Sequence, residues 1–412
     1  MFKKIITLFF IGVAFSCSLN AEILFKNELI NKKIQNIADE KIRSNKTAGM
    51  VVLVQHGDNT EYLNAFGYSY LKDKGRNIKY PVEMKTDTIF DLASLSKVLA
   101  TTQAIMMLQH ENKLQLDDKV SKYLTEFNTP DKENITIYDL LTHSSGLSAW
   151  KPLYIHAKNK HEVLAYIGKL PLAYKTGTNQ IYSDLGFITL GAIVESASGE
   201  SLDTYLQENL YKKLGMNDTG YNPSSDKKSR IAATSWENLF EQNMLKDGKY
   251  GVVEKPEDFK NWRKYTLQGE ADDGNAFYAM QGVSGHAGLF STAQDVSKLM
   301  QVMLNGGTLN GVEFYSADIL NTFSQKQDKA DFKGRAIGFD YSRDYMGKNR
   351  FPNTFGHIGF TGGCLALNKE QKLGIVILTN RENVGLNANG EYTGFNDLCS
   401  EIMDTVYENY KS

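Results

Sequence analysis

The chain has 412 residues, is 42% hydrophobic and carries a formal net charge of −2. That length can bury a full core as one large domain or two intermingled ones, and the composition is that of a globular protein. Near-neutral charge without a basic face argues against a nucleic-acid partner. No fixed-period repeat and no low-complexity tract is visible.

The first element is an export segment. "MFKKIITLFFIGVAFSCSLNAE" places Lys3 and Lys4 before an apolar run from Ile5 to Phe15. The run is too short to span a bilayer and fits a signal-peptide core. Ala21 before Glu22 marks the expected cleavage point, giving a signal peptide over 1–21 and a mature chain over 22–412. The rival is lipoprotein processing at Cys17, for which Phe15 is a poor neighbour. Both routes lead to export, to the periplasm, and only lipidation at Cys17 would tie the protein to a membrane. No later segment is long and apolar enough to be a membrane helix. Cys364 and Cys399 remain in the body. An oxidising compartment would permit one bridge, but two buried unpaired thiols are the expectation. No Cys/His cluster has zinc-ligand spacing, so neither metal nor cofactor is expected.

Further along, residues 29–44 have helical apolar spacing. "GMVVLVQHGDNTEYLNAFGYSY" reads as a hairpin across a Gly-Asp-Asn turn. "KDKGRNIKYPVEMKTD" reads as a polar loop. A helix follows over "TIFDLASLSKVLATTQAIMML", with Asp91 as its N-cap. Residues 110–310 look mainly helical with long loops. "GFITLGAIVESASG" and "TAQDVSKLMQVMLNGG" each end in a glycine stop. "GGCLALNKEQKLGIVILTN" is a second hairpin, turning at Lys369 to Lys372, and "GFNDLCSEIMDTVYENY" is a closing amphipathic helix. Strands at both ends and helices between them predict one sheet built from both termini. Its parts would be about 48–70 and 335–380, with a helical lobe over about 100–330. The default cleft lies between sheet and lobe.

Ser94 and Lys97 stand three apart on the predicted helix, so their side chains are neighbours. A serine hydroxyl needs a base to become a nucleophile, and a helix N-terminus favours a developing oxyanion. The pair alone is not specific. Ser224 with Lys227 and Ser225 with Lys228 repeat it in "NPSSDKKSR", which reads as solvated surface. "NQIYSDLGFITLGAIVE" adds Tyr182, Ser183 and Asp184 at the start of a buried helix. "TFGHIGFTGGCLALN" adds His357, Gly359, Phe360, Thr361 and two further glycines at a strand, where glycine implies close approach of a backbone or a ligand.

Ser-x-x-Lys, then Tyr-x-Asp, then His-x-Gly on a terminal strand resembles the motif set of the serine β-lactamase and penicillin-binding-protein superfamily. "DLLTHSSGL", "GVSGHAGLFSTAQD" and "HIGFTGG" look like its class C β-lactamase branch. The resemblance covers nearly the whole mature chain and is closest to the penicillin-binding protein 4B type of D-Ala-D-Ala carboxypeptidase. It implies an α+β, β-lactamase/transpeptidase-like fold and an acyl-enzyme serine hydrolase. Ser94 would be acylated, Lys97 would help deprotonate it and Tyr182 would shuttle protons. The amides of Ser94 and Phe360 would form the oxyanion hole, with Gly359 beside them. His357 and Thr361 would face a substrate carboxylate.

Two positions depart from common relatives. Asp184 replaces an asparagine and would hold Lys97 charged, leaving Tyr182 as the base. His357 replaces a lysine, which weakens a β-lactamase reading. As a cation facing a carboxylate, His357 would have a raised pKa. His143 is expected to be structural. His286 is either a site-wall or a loop-fixing residue, and Asp273 and Asn275 are weak candidates in a wall segment. The expected ligand is a peptidoglycan stem peptide, or a small ester or β-lactam. The alternatives are a β-lactamase-type carboxylesterase and a slow penicillin-binding or sensing protein.

Overall fold

The computed structural model describes residues 22–327, 334–341 and 344–411; the export segment and Cys17 lie outside these. The sheet has six strands: β1 (Gly49–His56), β2 (Asn59–Asp73), β3 (Arg76–Glu83), β4 (Phe355–Ile358), β5 (Cys364–Asn368) and β6 (Leu373–Thr379). Their order is β3-β2-β1-β6-β5-β4, and every pairing is antiparallel. The two termini meet where β1 pairs β6, with Leu53 opposite Val376.

Both strands at this junction are runs of apolar residues because both faces of the sheet are covered. Alternation splits them between two cores. Val51, Leu53, Val376 and Leu378 join the core of the helical lobe, under α4 (Ala293–Leu304). Met50, Val52, Val54, Ile375 and Ile377 face the terminal helices α1 (Glu28–Arg43) and α5 (Asn396–Lys411). Asn27 caps α1 by accepting from the Leu29 N–H, and Ile30, Ile34 and Ala38 form its buried stripe.

Between β3 and β4 the chain runs through helices and long loops, including α2 (Thr102–His110) and α3 (Asp184–Ser198). A small sheet there pairs Leu289–Ser291 with Phe90–Asp91 on one side and Gly220–Tyr221 on the other.

Three expectations need correction. The stretch expected as a polar loop holds the end of β2 and all of β3, paired through Tyr68 and Tyr70 to Glu83 and Val82. It reads as a loop because an edge strand exposed to water is polar and tolerates Pro81. Asp91 is not the residue at the helix N-cap. Leu92 is, before a 3₁₀ turn over Ala93–Leu95 and a π turn over Lys97–Thr101. Cys364 and Cys399 are bridged, with Cα atoms 6.5 Å apart. Alternation along β5 turns Cys364 toward α5, where Cys399 is buried. The bond closes a span of 35 residues. Cys399→Ser is expected to lower stability by about 3–4 kcal/mol, read as a fall in Tm that dithiothreitol reproduces in the wild type. A dithiothreitol-insensitive Tm would show that the bridge contributes nothing.

Candidate active site

Ser94 sits on a tight elbow. Ala93 before it has φ +43°, a left-handed conformation that costs a non-glycine residue energy and persists only when neighbours hold it. The holder is Asp91, whose Oδ1 accepts the Ala93 N–H at 2.8 Å while Oδ2 accepts the Asp272 N–H at 2.7 Å. Asp91 therefore caps the elbow from two residues before its start.

Lys97 has no exposed side-chain surface. Its Nζ donates to Ser94 Oγ at 3.0 Å, to Asp184 Oδ1 at 2.7 Å and to the His286 carbonyl at 3.1 Å. Burial pulls the lysine pKa down, but Asp184 and Tyr182 outweigh it and the net shift is upward. Lys97 is an ammonium at neutral pH. Asp184 is the first residue of α3, which the Ser183 hydroxyl caps. Tyr182 precedes that cap, with its ring centroid 4.8 Å from Lys97 Nζ. The His143 ring packs on Tyr182 at 4.6 Å, and His143 Nδ1 accepts the Ser183 N–H at 3.0 Å. His143 thus has the structural role expected of it. Burial pushes the Tyr182 phenol up, against the pull of Lys97. Tyr182 is therefore protonated in the free protein and is no ready base, contrary to the expectation.

The strand side approaches closely. A Cβ on Gly359 would lie 2.4 Å from the Leu92 carbonyl, and one on Gly363 would lie 2.7 Å from Leu95 Cδ1. Only glycine lets β4 and β5 meet the elbow. Thr361 is buried and donates to the Asp91 carbonyl at 2.7 Å. Its hydroxyl fastens the strand to the elbow instead of presenting its proton to a ligand. Phe360 is 38% exposed and stands at the mouth.

His357 departs most from expectation. Its Nδ1 lies 2.7 Å from the Ile358 carbonyl, which makes Nδ1 the protonated nitrogen. Nε2 is buried without a hydrogen bond. Burial pulls its pKa down to about 4; Asp340 opposes this, and Arg335 and Lys97 add to it. In the free protein His357 is a neutral acceptor. The cation on this side is Arg335, ion-paired to Asp340 at 2.8 Å with its guanidinium 5.2 Å from the Tyr182 ring centroid. Sequence reading missed Arg335. The available signal was an Arg and an Asp five apart in the otherwise apolar "RAIGFD", an arrangement that pairs when buried.

His286 fixes its loop. Its ring meets Ser284 Oγ at 2.8 Å and Asp273 Oδ1 at 3.0 Å, and only its carbonyl reaches the site. Asn275 accepts the Leu153 N–H and donates to the Lys151 carbonyl, so it is structural. Asp273 also lines a cavity of about 360 Å³ whose walls include Ser94, Tyr182, Trp150 and Tyr392. A second cavity of about 370 Å³ reaches Ser94 from the side of His357 and Arg335. The nucleophile candidate therefore stands where two cavities meet. Among the described residues no cluster could hold a metal ion.

A buried serine–lysine–carboxylate constellation under an α+β sheet defines an active-site serine hydrolase. Residues 34–393 match the Beta-lactamase family model, and the chain belongs to that family. It is 34% identical to the N-acetylmuramyl-L-alanine amidase of Bacillus subtilis (strain 168), over 89% of this chain and 84% of the relative. It is 36% identical to a protein of Escherichia coli (strain K12) named "Putative D-alanyl-D-alanine carboxypeptidase", over 78% of this chain and 75% of the relative. The class C beta-lactamase structure from Rhodobacter sphaeroides superposes with a TM-score of 0.67 at 17% identity, over 92% of this chain and 99% of that one. The fold is thus of the β-lactamase and penicillin-binding-protein type.

Two predictions follow from these charge states. Asp184→Asn removes the larger of the two groups that together outweigh burial at Lys97, so the lysine pKa should fall and the basic limb of the pH–rate profile should move toward neutrality. Leaving a buried charge unpaired costs about 3–5 kcal/mol, less where Lys97 sheds its proton, so Tm should also fall. Unchanged limbs would show that the two groups do not communicate.

For His357, kcat/KM of a D-Ala-terminated peptide and of a neutral ester should run parallel from about pH 5.5 to 8.5. His357→Lys should separate them in favour of the acid. A selective fall for the acidic peptide near neutral pH would restore the cationic histidine. Stability carries the same signature. The unfolded imidazole titrates at about 6.5 and the folded one at about 4. The unfolded chain binds the extra proton in between, so stability falls as pH drops through that window.

Proposed function

We propose that the protein is an exported serine hydrolase that works through an acyl-enzyme at Ser94, and that it is a D-Ala-D-Ala carboxypeptidase of peptidoglycan stem peptides. The observation that carries this reading is the Ser94 Oγ–Lys97 Nζ–Asp184 chain at the junction of two cavities. The name of the E. coli relative supports the peptidase assignment. The Cys364–Cys399 bridge supports export, since such bonds persist in oxidising compartments. Among the described residues no helix is long and apolar enough to cross a membrane.

In this mechanism Ser94 Oγ attacks the carbonyl carbon of the penultimate D-Ala. The oxyanion takes hydrogen bonds from the Ser94 and Phe360 amides. Lys97, already charged, steadies Ser94 Oγ and the negative charge that develops. Tyr182 is protonated, so it relays: its oxygen receives the Ser94 proton as its own proton passes to the leaving nitrogen. The C–N bond breaks, free D-Ala departs and Ser94 is left as an ester. Water then attacks the ester, and the same relay returns the proton to Ser94. Arg335 takes over the carboxylate-binding role first expected of His357, using donors its Asp340 pair leaves available.

One observation favours the esterase alternative. His357 is neutral and Arg335 is already ion-paired, so the leaving-group cavity also suits a substrate without a carboxylate. The Bacillus relative adds the muramyl–L-alanine amide bond to the substrates to be tried.

Ser94→Ala should abolish the mass shift caused by a fluorescent penicillin. It should also lower D-Ala release from a pentapeptide stem on the order of 10⁴-fold or more in kcat. A variant that still forms the adduct would sink the acyl-enzyme reading. A wild type that hydrolyses esters but releases no D-Ala would replace the peptidase with the esterase.

A further inference from the structure

Arg381 follows the last residues of β6, is 6% exposed and lies outside every motif of the sequence. Its Nε donates to the Phe360 carbonyl at 2.7 Å and its Nη1 to the Thr393 carbonyl at 3.0 Å. The guanidinium carbon lies 4.9 Å from the ring centroid of Phe360, 5.6 Å from Tyr392 and 4.7 Å from Phe395. Among the described residues it makes no ion pair within 4 Å. Burying a cation without a close counter-ion is costly, and here the return is two carbonyls held at fixed positions.

Phe360 needs that hold. It is the second residue of a turn closed by the Gly362 N–H on the Gly359 carbonyl. Glycines occupy positions 359, 362 and 363 around it, and its own ring is partly in solvent. Thr361 anchors one side of the turn to Asp91. Arg381 grips the other side, at the carbonyl of the residue whose amide the acyl-enzyme reading makes an oxyanion donor. An oxyanion donor must lie within a few tenths of an ångström of its working position to be useful.

We infer that Arg381 is a positioning residue that fixes the Phe360 amide as an oxyanion donor. The inference rests on the acyl-enzyme reading of Ser94. Lysine cannot replace it fully, because the planar fork holds two carbonyls while lying against aromatic rings. The role is exerted in the transition state, where the carbonyl oxygen gains charge, and only weakly in the ground state.

The test compares wild type, Arg381→Gln and Arg381→Lys. The first readout is kcat and KM for p-nitrophenyl acetate. The second is the Kd of a phenylboronic acid, whose serine adduct is tetrahedral and places an oxygen in the same hole. Arg381→Gln should lower kcat roughly 10- to 100-fold with KM within about twofold, and should weaken the boronate by a similar factor. Arg381→Lys should lose less than Gln in both readouts. Should the Gln variant fail to fold, the Lys variant alone decides: a lower kcat and a weaker boronate at unchanged KM support the role. An active-site titration with penicillin sets the active fraction in each sample. Rates that only follow that fraction, or a boronate Kd equal to wild type, overturn the positioning role and leave Ser94 acylation intact. A wild type that forms no Ser94 adduct overturns both readings.

Discussion

The ammonium of Lys97 is the constraint around which the site is assembled. A fully buried cation must find its partners inside the protein, and its three acceptors come from three separate parts of the chain. Ser94 belongs to its own elbow, Asp184 to the head of α3, and the His286 carbonyl to the loop before Leu289–Ser291. Neighbouring contacts repeat the arrangement. Thr101 donates to the Gly285 carbonyl, and Ser96 accepts the Leu289 N–H. One buried charge thereby fixes where the Ser94 elbow, the helical lobe and the site loop stand relative to each other.

Asp91 joins this assembly to the sheet. Its carboxylate holds the strained Ala93 and the Asp272 amide, and its carbonyl takes the Thr361 hydroxyl. The elbow carrying the Ser94 amide and the turn carrying the Phe360 amide are therefore registered through one residue. Burial pushes the Asp91 carboxyl up to about 7, against the two backbone donors that pull it down. The paired β1–β6 centre of the sheet is the rigid base for the turn, because β4 and β5 extend from it by regular ladders.

What was legible in the sequence was whatever local periodicity or backbone chemistry dictates. Ser94 and Lys97 were readable as neighbours from helical spacing, and the structure places Tyr182 and Asp184 beside them. The glycines at 359 and 363 announced a close approach before its partner, the elbow, was known. β1, β5 and β6 showed themselves by their apolar runs, and β2 by the Gly-Asp-Asn turn that joins it to β1. What stayed hidden depends on distant neighbours. β3 is polar because it is an edge, so nothing in its own composition distinguishes it from a loop. The Cys364–Cys399 bridge depends on how α5 lies on the sheet. The place of Arg335 beside Tyr182 depends on its pair Asp340, which bridges to Gly356 of β4. His357 looked like a titrating cation because a side chain's identity carries its solution pKa, whereas burial sets the actual one.

These charge states combine into one requirement. In the free protein Lys97 is charged, Tyr182 is protonated and His357 is a neutral acceptor. Neither Lys97 nor Tyr182 beside Ser94 is a ready base, and Ser94 Oγ accepts a hydrogen bond from Lys97 Nζ. Under the acyl-enzyme mechanism we propose, free serine alkoxide is thus disfavoured, and attack must be coupled to proton delivery at the leaving group. A relay through a protonated tyrosine meets that condition, because it moves a proton across the scissile bond without first creating a phenolate in a buried site. The substrate completes the path, since the relay has no terminal acceptor until a leaving atom occupies the cavity. In that proposed mechanism, geometry at the oxyanion would then decide the rate. On the proposed mechanism, the stabilisation would come from Lys97 and from the two amides whose segments Asp91, Thr361 and Gly359 bring together.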